Sequence, residues 1–367
     1  MAAELRSFYS EDYIHLIAAE LSTLLPLNVD SFKTHVLAEP WEDLSLKERS
    51  SRLTDALVTF LPADPEPAIE ILKQLLPRVS GDAQKYADML SIFIPDYIVR
   101  RKNDISLNLA LEALTFFTCK GTTSELAIRP FLIDSPAEVM SRFYELAKHP
   151  HPHVRRWASE GCRPRLPWAI GLPEFKKDPN PILPILETLC KDDSKFVQKS
   201  VANNLNDIAK DHPSIVLAFA EKWRGTHPNT DWILKHGLRT LLKQGNPNAL
   251  ALFGATPVEI STPELKLNRA TIGIGETQDF SFTGMIKGTL PQKLRIEYAV
   301  DFVKFNGTTS RKVFMISEGL PKHGEILIRK SHRFTDFTTR KHYAGDHQIS
   351  VLVNGVEITS ANFQLLG

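Results

Sequence analysis

Apolar residues recur at helical spacing over the first two-thirds of the chain. Ile14, Ile17, Ala18, Leu21 and Leu24 fall on one face of a helix that Pro26 stops. Ser45 and Glu48, three positions apart, have the pattern of a capping box opening a helix that carries Leu53, Leu57 and Phe60. Ser135-Pro136-Ala137-Glu138 repeats that device with proline at the first helical position, where a missing N–H costs nothing. Short helices separated by Pro, Asp and Asn turns continue to about residue 250. Beyond residue 260 the period becomes two. Leu294, Ile296, Tyr298 and Val300 alternate with polar partners, as do Ile349, Val351 and Val353. Asn306-Gly307, Lys322-His323-Gly324 and Asn354-Gly355 mark hairpin turns. About seven short strands without cysteines predict an immunoglobulin-like β-sandwich.

Three helical segments resemble one another: HPHVRRWASEG from 151, SKFVQKSVANN from 194 and TDWILKHGLRT from 230. Placing Val154, Val197 and Ile233 in register also aligns Ala158, Val201 and Gly237, at spacings of 43 and 36 residues. That period fits stacked helix pairs of the HEAT type, each burying its apolar face on its neighbours. The polar positions align too: Arg155, Gln198, Leu234; Arg156, Lys199, Lys235; Glu160, Asn203, Arg239. They are expected on one exposed face. The predicted fold class is therefore mainly α, a HEAT-like helical-repeat solenoid over residues 1–255 followed by a small all-β immunoglobulin-like sandwich over 260–367. Glycine usage supports the boundary, with 8 glycines in residues 1–258 and 10 in the rest.

A length of 367 residues suits two domains, and 43% apolar with 24% charged residues excludes a disordered chain, a coiled coil and a collagen-like fibre. No apolar run approaches a membrane span. The N-terminus is acidic where a signal peptide would be basic, so a cytoplasmic protein is expected. Cys119, Cys162 and Cys190 form no CxxC pair and read as reduced, buried thiols. The net charge of +1 is unevenly spread. Residues 1–80 hold 7 basic against 13 acidic side chains, residues 148–177 hold 7 against 2, and residues 304–345 hold 9 against 3. Two basic islands on a near-neutral chain point to a polyanion held by a specific surface.

The chain has no glycine-rich phosphate loop, G-x-S-x-G elbow, HExxH or dinucleotide fingerprint, so neither cofactor nor metal is expected. His149, His151 and His153 alternate across a turn, a poor metal geometry. Three segments remain. In GTTSELAIRPF, Thr122 and Glu125 fit a capping box, and Glu125 with Arg129 an i,i+4 ion pair, as readily as a functional site. In HPHVRRWASEGCRPRLPWA a helix ends near Gly161 and a Pro-locked arginine turn delivers Trp168. In SVANNLNDIAKDHP, Asn203, Asn204, Asn206 and Asp207 crowd an otherwise apolar helix. Trp157, Trp223 and Trp232 read as packing.

TSELAIRPF, HPHVRRWASEGCRPRLPW, SVANNLNDIAKDHP and WILKHGLRTLLKQGNP together resemble the motifs of the bacterial DNA alkylation repair glycosylases of the AlkC and AlkD kind. The arginine segment ending in tryptophan, with the appended sandwich, is nearer to AlkC. The resemblance covers residues 90–250 strongly, and the first 90 add only compatible helices. It implies excision of cationic N3-methylated bases, 3-methyladenine and 3-methylcytosine, from duplex DNA by a monomer. The competing reading is a non-catalytic scaffold binding damaged or branched DNA. Carried over residue by residue, the resemblance implies Glu125, Glu160 and Asp207 as active-site acids, Glu160 and Asp207 nearest the sugar, with Trp168 as an aromatic wall. It further implies DNA contacts from Arg155, Arg156, Arg163, Arg165, Lys199, Asn203, Lys235, His236 and Arg239. In the sandwich, Lys330, His332, Arg333, Arg340 and Lys341 of the basic segment 329–345 are expected on DNA as well.

Overall fold

The apolar stripes become sixteen α-helices among the described residues, followed by eight strands. The computed structural model describes residues 6–80, 90–321, 324–337 and 341–367; Lys322, His323 and Arg340 therefore lie outside the described residues. The helices are α1 Glu11–Ser22, α2 Val29–Leu37, α3 Leu46–Phe60, α4 Pro65–Val79, α5 Phe93–Arg100, α6 Leu107–Cys119, α7 Arg129–Asp134 and α8 Pro136–Leu146. They continue as α9 Pro152–Gly161, α10 Pro173–Lys177, α11 Leu183–Leu189, α12 Lys195–Ile208, α13 Pro213–Trp223, α14 Pro228–Gly237, α15 Arg239–Lys243 and α16 Pro247–Leu252. No helix among the described residues is long and apolar enough to cross a membrane.

The chain forms two compact units, one of Met1–Asp211 with Gly225–Gly237, the other of His212–Arg224 with Leu238–Gly367. In the first, the aligned positions Val154, Val197, Ile233, Ala158 and Val201 are fully buried, as the repeat register predicts. Helix α12 packs between α9 and α14. The third repeat has glycine at the inner position because a Cβ on Gly237 would stand 3.0 Å from Leu205 Cβ and 3.3 Å from the Ala202 carbonyl. Two aligned rows depart from expectation. Gln198 and Leu234 are buried rather than exposed, as is Glu160, and the Gln198 amide donates to the Asp192 carbonyl (2.7 Å). The capping box at Ser45 forms, with Glu48 accepting from the Ser45 N–H at 2.8 Å. The one at Ser135 does not. That residue ends α7 and starts α8 at once, and its side chain makes no cap bond.

In the second unit the strands are β1 Ile260–Leu267, β2 Thr271–Gly273, β3 Thr277–Ile286, β4 Leu294–Val303, β5 Thr309–Gly319, β6 Glu325–Arg333, β7 Gly345–Val353 and β8 Val356–Leu366. They pair as β1-β3-β6 and β2-β8-β7-β4-β5, with β2 parallel to β8. Inward residues of both sheets share one core, Phe280 and Tyr298 with Ile349, Phe363 and Leu365, so the sheets stack as a sandwich. The basic segment is half strand: Arg329, Lys330 and Arg333 are exposed on β6, while Phe334 is fully buried. His332 must be withdrawn from the expected DNA contacts. Strand alternation turns it inward, where it is 8% exposed and its Nδ1 lies 2.9 Å from the Tyr298 hydroxyl.

The Asn354-Gly355 turn holds this unit together. Asn354 (φ 47°) accepts from the Arg295 N–H at 2.7 Å, and its amide donates to the Thr256 carbonyl at 2.6 Å. Gly355 (φ 79°) touches Gly245, and a Cβ there would meet Leu250 Cδ1 at 2.3 Å. Gly307, with a similar φ of 77°, has open space around it. Gly355→Ala should therefore destabilise the protein by about 3 kcal/mol, and Gly307→Ala by only about 1 kcal/mol. Thermal unfolding of the two variants would show the difference.

Candidate active site

Helix α9 ends at Gly161, and the chain from Cys162 to Leu172 forms a loop that carries Trp168 at its tip. Two prolines, Pro164 and Pro167, stiffen this loop, and a buried cation fixes it. The Arg129 side chain is fully buried, and its guanidinium donates to the carbonyls of Gly161 (3.0 Å), Arg163 (2.9 Å) and Ile170. Burial pulls its pKa down to about 10. The local alternatives for this segment fall away. Glu125 sits in a turn before α7 rather than capping it, and Arg129 pairs with carbonyls rather than with Glu125. At the tip, Trp168 has φ 66°, a left-handed conformation that an indole-bearing residue adopts at a cost of about 1–3 kcal/mol. Its carbonyl is held by Lys47 Nζ at 2.6 Å.

Glu160 and Asp207 each occupy the last turn of a helix, α9 and α12, where carbonyl dipoles disfavour a carboxylate. Arg163 offsets both. Its Nη1 donates to Glu160 Oε1 at 2.6 Å and its Nε to Asp207 Oδ2 at 2.9 Å. Burial opposes the charge of this arginine, but the two carboxylates outweigh it and hold its pKa above the ordinary value. Ser200 donates to the other oxygen of Glu160 at 2.6 Å, and Lys210 pairs with Asp207 at 3.2 Å. On the opposite side Glu125, 3% exposed, is ion-paired with Arg156, whose Nη2 also lies 3.8 Å from Glu160 Oε1.

These groups surround a cavity of about 560 Å³ lined by Glu125, Glu160, Arg156, Arg163 and Trp168. Asp207 is not on its wall. It stands behind Arg163, so Glu125 rather than Asp207 joins Glu160 in facing the open space. The first 90 residues do more than add helices: Leu46, Lys47 and Ser50 of α3 form part of the wall, as does Asp96 of α5. Of these, only Asp96 carries a sequence signal, a charge among the apolar residues Phe93, Ile94, Tyr97 and Ile98. Burial raises Asp96 to a pKa of about 6, against the opposing pull of Arg100 and Lys47. Among the described residues no group of His, Cys, Asp and Glu could hold a metal ion.

Four of the arginines expected on phosphate, Arg155, Arg156, Arg163 and Arg165, are paired with acids. Arg155 forks onto Asp192 (2.6 and 3.1 Å) and Arg165 onto Asp211 (3.2 and 2.6 Å). Those partners lie 37 and 46 residues away in sequence, which is why local reading missed them. Lys199 and Lys235 are exposed, and Asn203 is half-buried. Trp157 packs edge-on against Phe143 in the core as expected, but Trp232 is a surface residue, stacked on His236 with Lys195 over its ring. Arg239 opens α15 in the other compact unit.

Two outcomes follow. Replacing Arg129 with Met leaves three carbonyls without their donor, and should cost at least about 3 kcal/mol while speeding hydrogen exchange at residues 162–172. For Asp96, the raised folded pKa means that the native state binds its proton more tightly than the unfolded chain. Stability from this group is present below about pH 4 and is lost as pH rises through 6, by up to about 3 kcal/mol. Urea unfolding of Asp96→Asn should show a gain over the native protein at pH 8 that vanishes at pH 4.

Comparison with known proteins places the chain in a family. Residues 101–241 match the family model described as DNA alkylation repair enzyme, and residues 261–367 match that of the YhaZ C-terminal Ig-like domain. The chain is 42% identical over 366 residues to the uncharacterized protein YhaZ of Bacillus subtilis, covering 99% of each. It superposes with a TM-score of 0.90 and 37% identity on the alkylpurine DNA glycosylase AlkC of Pseudomonas fluorescens bound to DNA containing an abasic site analogue, again covering 99% of each chain. The chain belongs to the AlkC/AlkD family of DNA alkylation repair enzymes, among the AlkC-like members that carry a C-terminal immunoglobulin-like domain.

Proposed function

We propose that this protein is a monofunctional DNA glycosylase that releases cationic N3-alkylated bases, 3-methylcytosine and 3-methyladenine, from duplex DNA by hydrolysing the N-glycosidic bond in base excision repair. The observation that carries the reading is one cavity walled by two buried carboxylates, Glu125 and Glu160, and an exposed indole, Trp168. A base that already bears a positive charge leaves as a neutral molecule when the bond electrons pass to it, so the site needs no strong general acid. What it must supply is negative charge for the oxocarbenium-like sugar and a placed water. Glu125 and Glu160 provide the charge, and one of them accepts the proton of the attacking water. The indole face favours the cation by about 0.5–2 kcal/mol. Asp207 acts through Arg163, fixing the position of Glu160.

DNA binding falls to the basic side chains on the surface. Lys199 and Lys235 in one unit, and Lys330, Arg333 and Lys341 in the other, supply phosphate contacts. On this reading the protein works as a monomer in the cytoplasm on duplex DNA; the DNA held by the Pseudomonas relative supports the DNA partner.

Base release from a duplex with a single 3-methylcytosine or 3-methyladenine tests the assignment. The intact protein should liberate free base; Glu160→Gln should slow release by about a hundredfold or more, and Trp168→Ala by about tenfold. Tight DNA binding with no base released from either lesion would replace this reading with that of a scaffold for damaged or branched DNA. Changing Lys330, Arg333 and Lys341 together to Ala should weaken duplex binding and flatten its salt dependence by about three counterions.

A further inference from the structure

Arg156 lies on α9 one turn before Glu160, and its guanidinium is the most enclosed cation on the cavity wall apart from Arg163. It pairs with Glu125, approaches Glu160 Oε1 at 3.8 Å, and lies over the Phe196 ring at 4.3 Å from the centroid. The second oxygen of Glu125 is buried without a hydrogen-bond partner. A flat, delocalised cation stacked on an aromatic face and set between two carboxylates has the chemistry of an N3-methylated base. We propose that Arg156 is an internal stand-in for the cationic base, occupying the Glu125–Glu160 pair in the DNA-free protein and yielding it only to another cation. The inference rests on the glycosylase reading above and adds an internal competitor for the base to it.

Occupancy is set by exchange. A neutral group that displaced the guanidinium would leave Glu125 buried and uncompensated, while Glu160 stays paired with Arg163. A cationic base or a cationic sugar replaces the lost ion pairs. Arg156 then acts as an internal competitor whose ion pair any entering cation must replace, and a phosphate contact is the competing role for its side chain. The two roles predict opposite signs for one measurement.

The test uses Arg156→Ala and two duplexes that differ at one position, one with a positively charged pyrrolidine abasic-site analogue, the other with neutral tetrahydrofuran. Affinities are measured at constant ionic strength with sodium chloride or guanidinium chloride at roughly 20 mM, since screening must be held fixed. With the internal competitor removed, the preference for the charged analogue should rise by about tenfold, and free guanidinium should abolish that rise by refilling the vacated place. An unchanged or reduced preference, or guanidinium that restores lost affinity for both duplexes, would overturn the proposal. Phe196 is 39% exposed, so Phe196→Leu leaves the core intact while removing the ring beneath the guanidinium. It should move the preference in the same direction by about two- to fivefold; no movement counts against the proposal even if Arg156→Ala does not fold. Because the readout is binding, it can fail while the intact protein releases base, and the reverse result is equally separable.

Discussion

One guanidinium, that of Arg163, makes the rest of the site possible. Glu160 and Asp207 close two neighbouring helices at the ends where backbone carbonyls already concentrate negative potential. Without a cation between them, two buried carboxylates and two helix termini would repel one another across the α9–α12 contact. Arg163 satisfies both acids at hydrogen-bond distance and is itself placed by its own carbonyl, which Arg129 holds. Acid pair, helix packing and loop are thus one electrostatic unit, and no member can be altered without exposing another to an unpaired charge.

This arrangement reconciles two opposed demands. A protein that grips a polyanion needs positive charge, whereas the proposed release of a cationic base needs negative charge. The chain separates them by depth. Acids are buried at helix C-termini, and lysines such as Lys199 and Lys235 stay at the surface. Arg155, Arg156, Arg163 and Arg165 lie between the two levels, each paired with an acid.

The helical region and the sandwich were legible because their cores are periodic. Val154, Val197 and Ile233 mark the inner face of three helices, and alternation in β4 and β7 marks the strands. The segment carrying Glu160 and Trp168 was legible because tryptophan, glutamate and arginine are dense there. What stayed hidden depends on distance along the chain. Nothing near Arg129 announces that it will clasp carbonyls 32 to 41 residues away, and nothing near Lys47 points to Trp168, 121 residues on. His332 misled for the opposite reason: its neighbours are basic, but strand parity sends it inward. The limits of the compact units were equally invisible, since α13, α15 and α16 look like any other helices in the sequence yet belong with the strands.

The left-handed backbone of Trp168 carries a lesson about how such a site changes over generations. Glycine would suit that φ best, and the loop would be more stable with it. An indole persists there only while Lys47 and Arg129 keep the loop from relaxing, so the three residues form an epistatic set drawn from distant parts of the chain. A lineage that lost the chemistry would be free to let position 168 drift first, toward small residues that ease the backbone. The buried Arg129 would follow later, because the fold itself still depends on it. The order in which these positions decay would therefore distinguish relatives that have abandoned base excision from those that retain it.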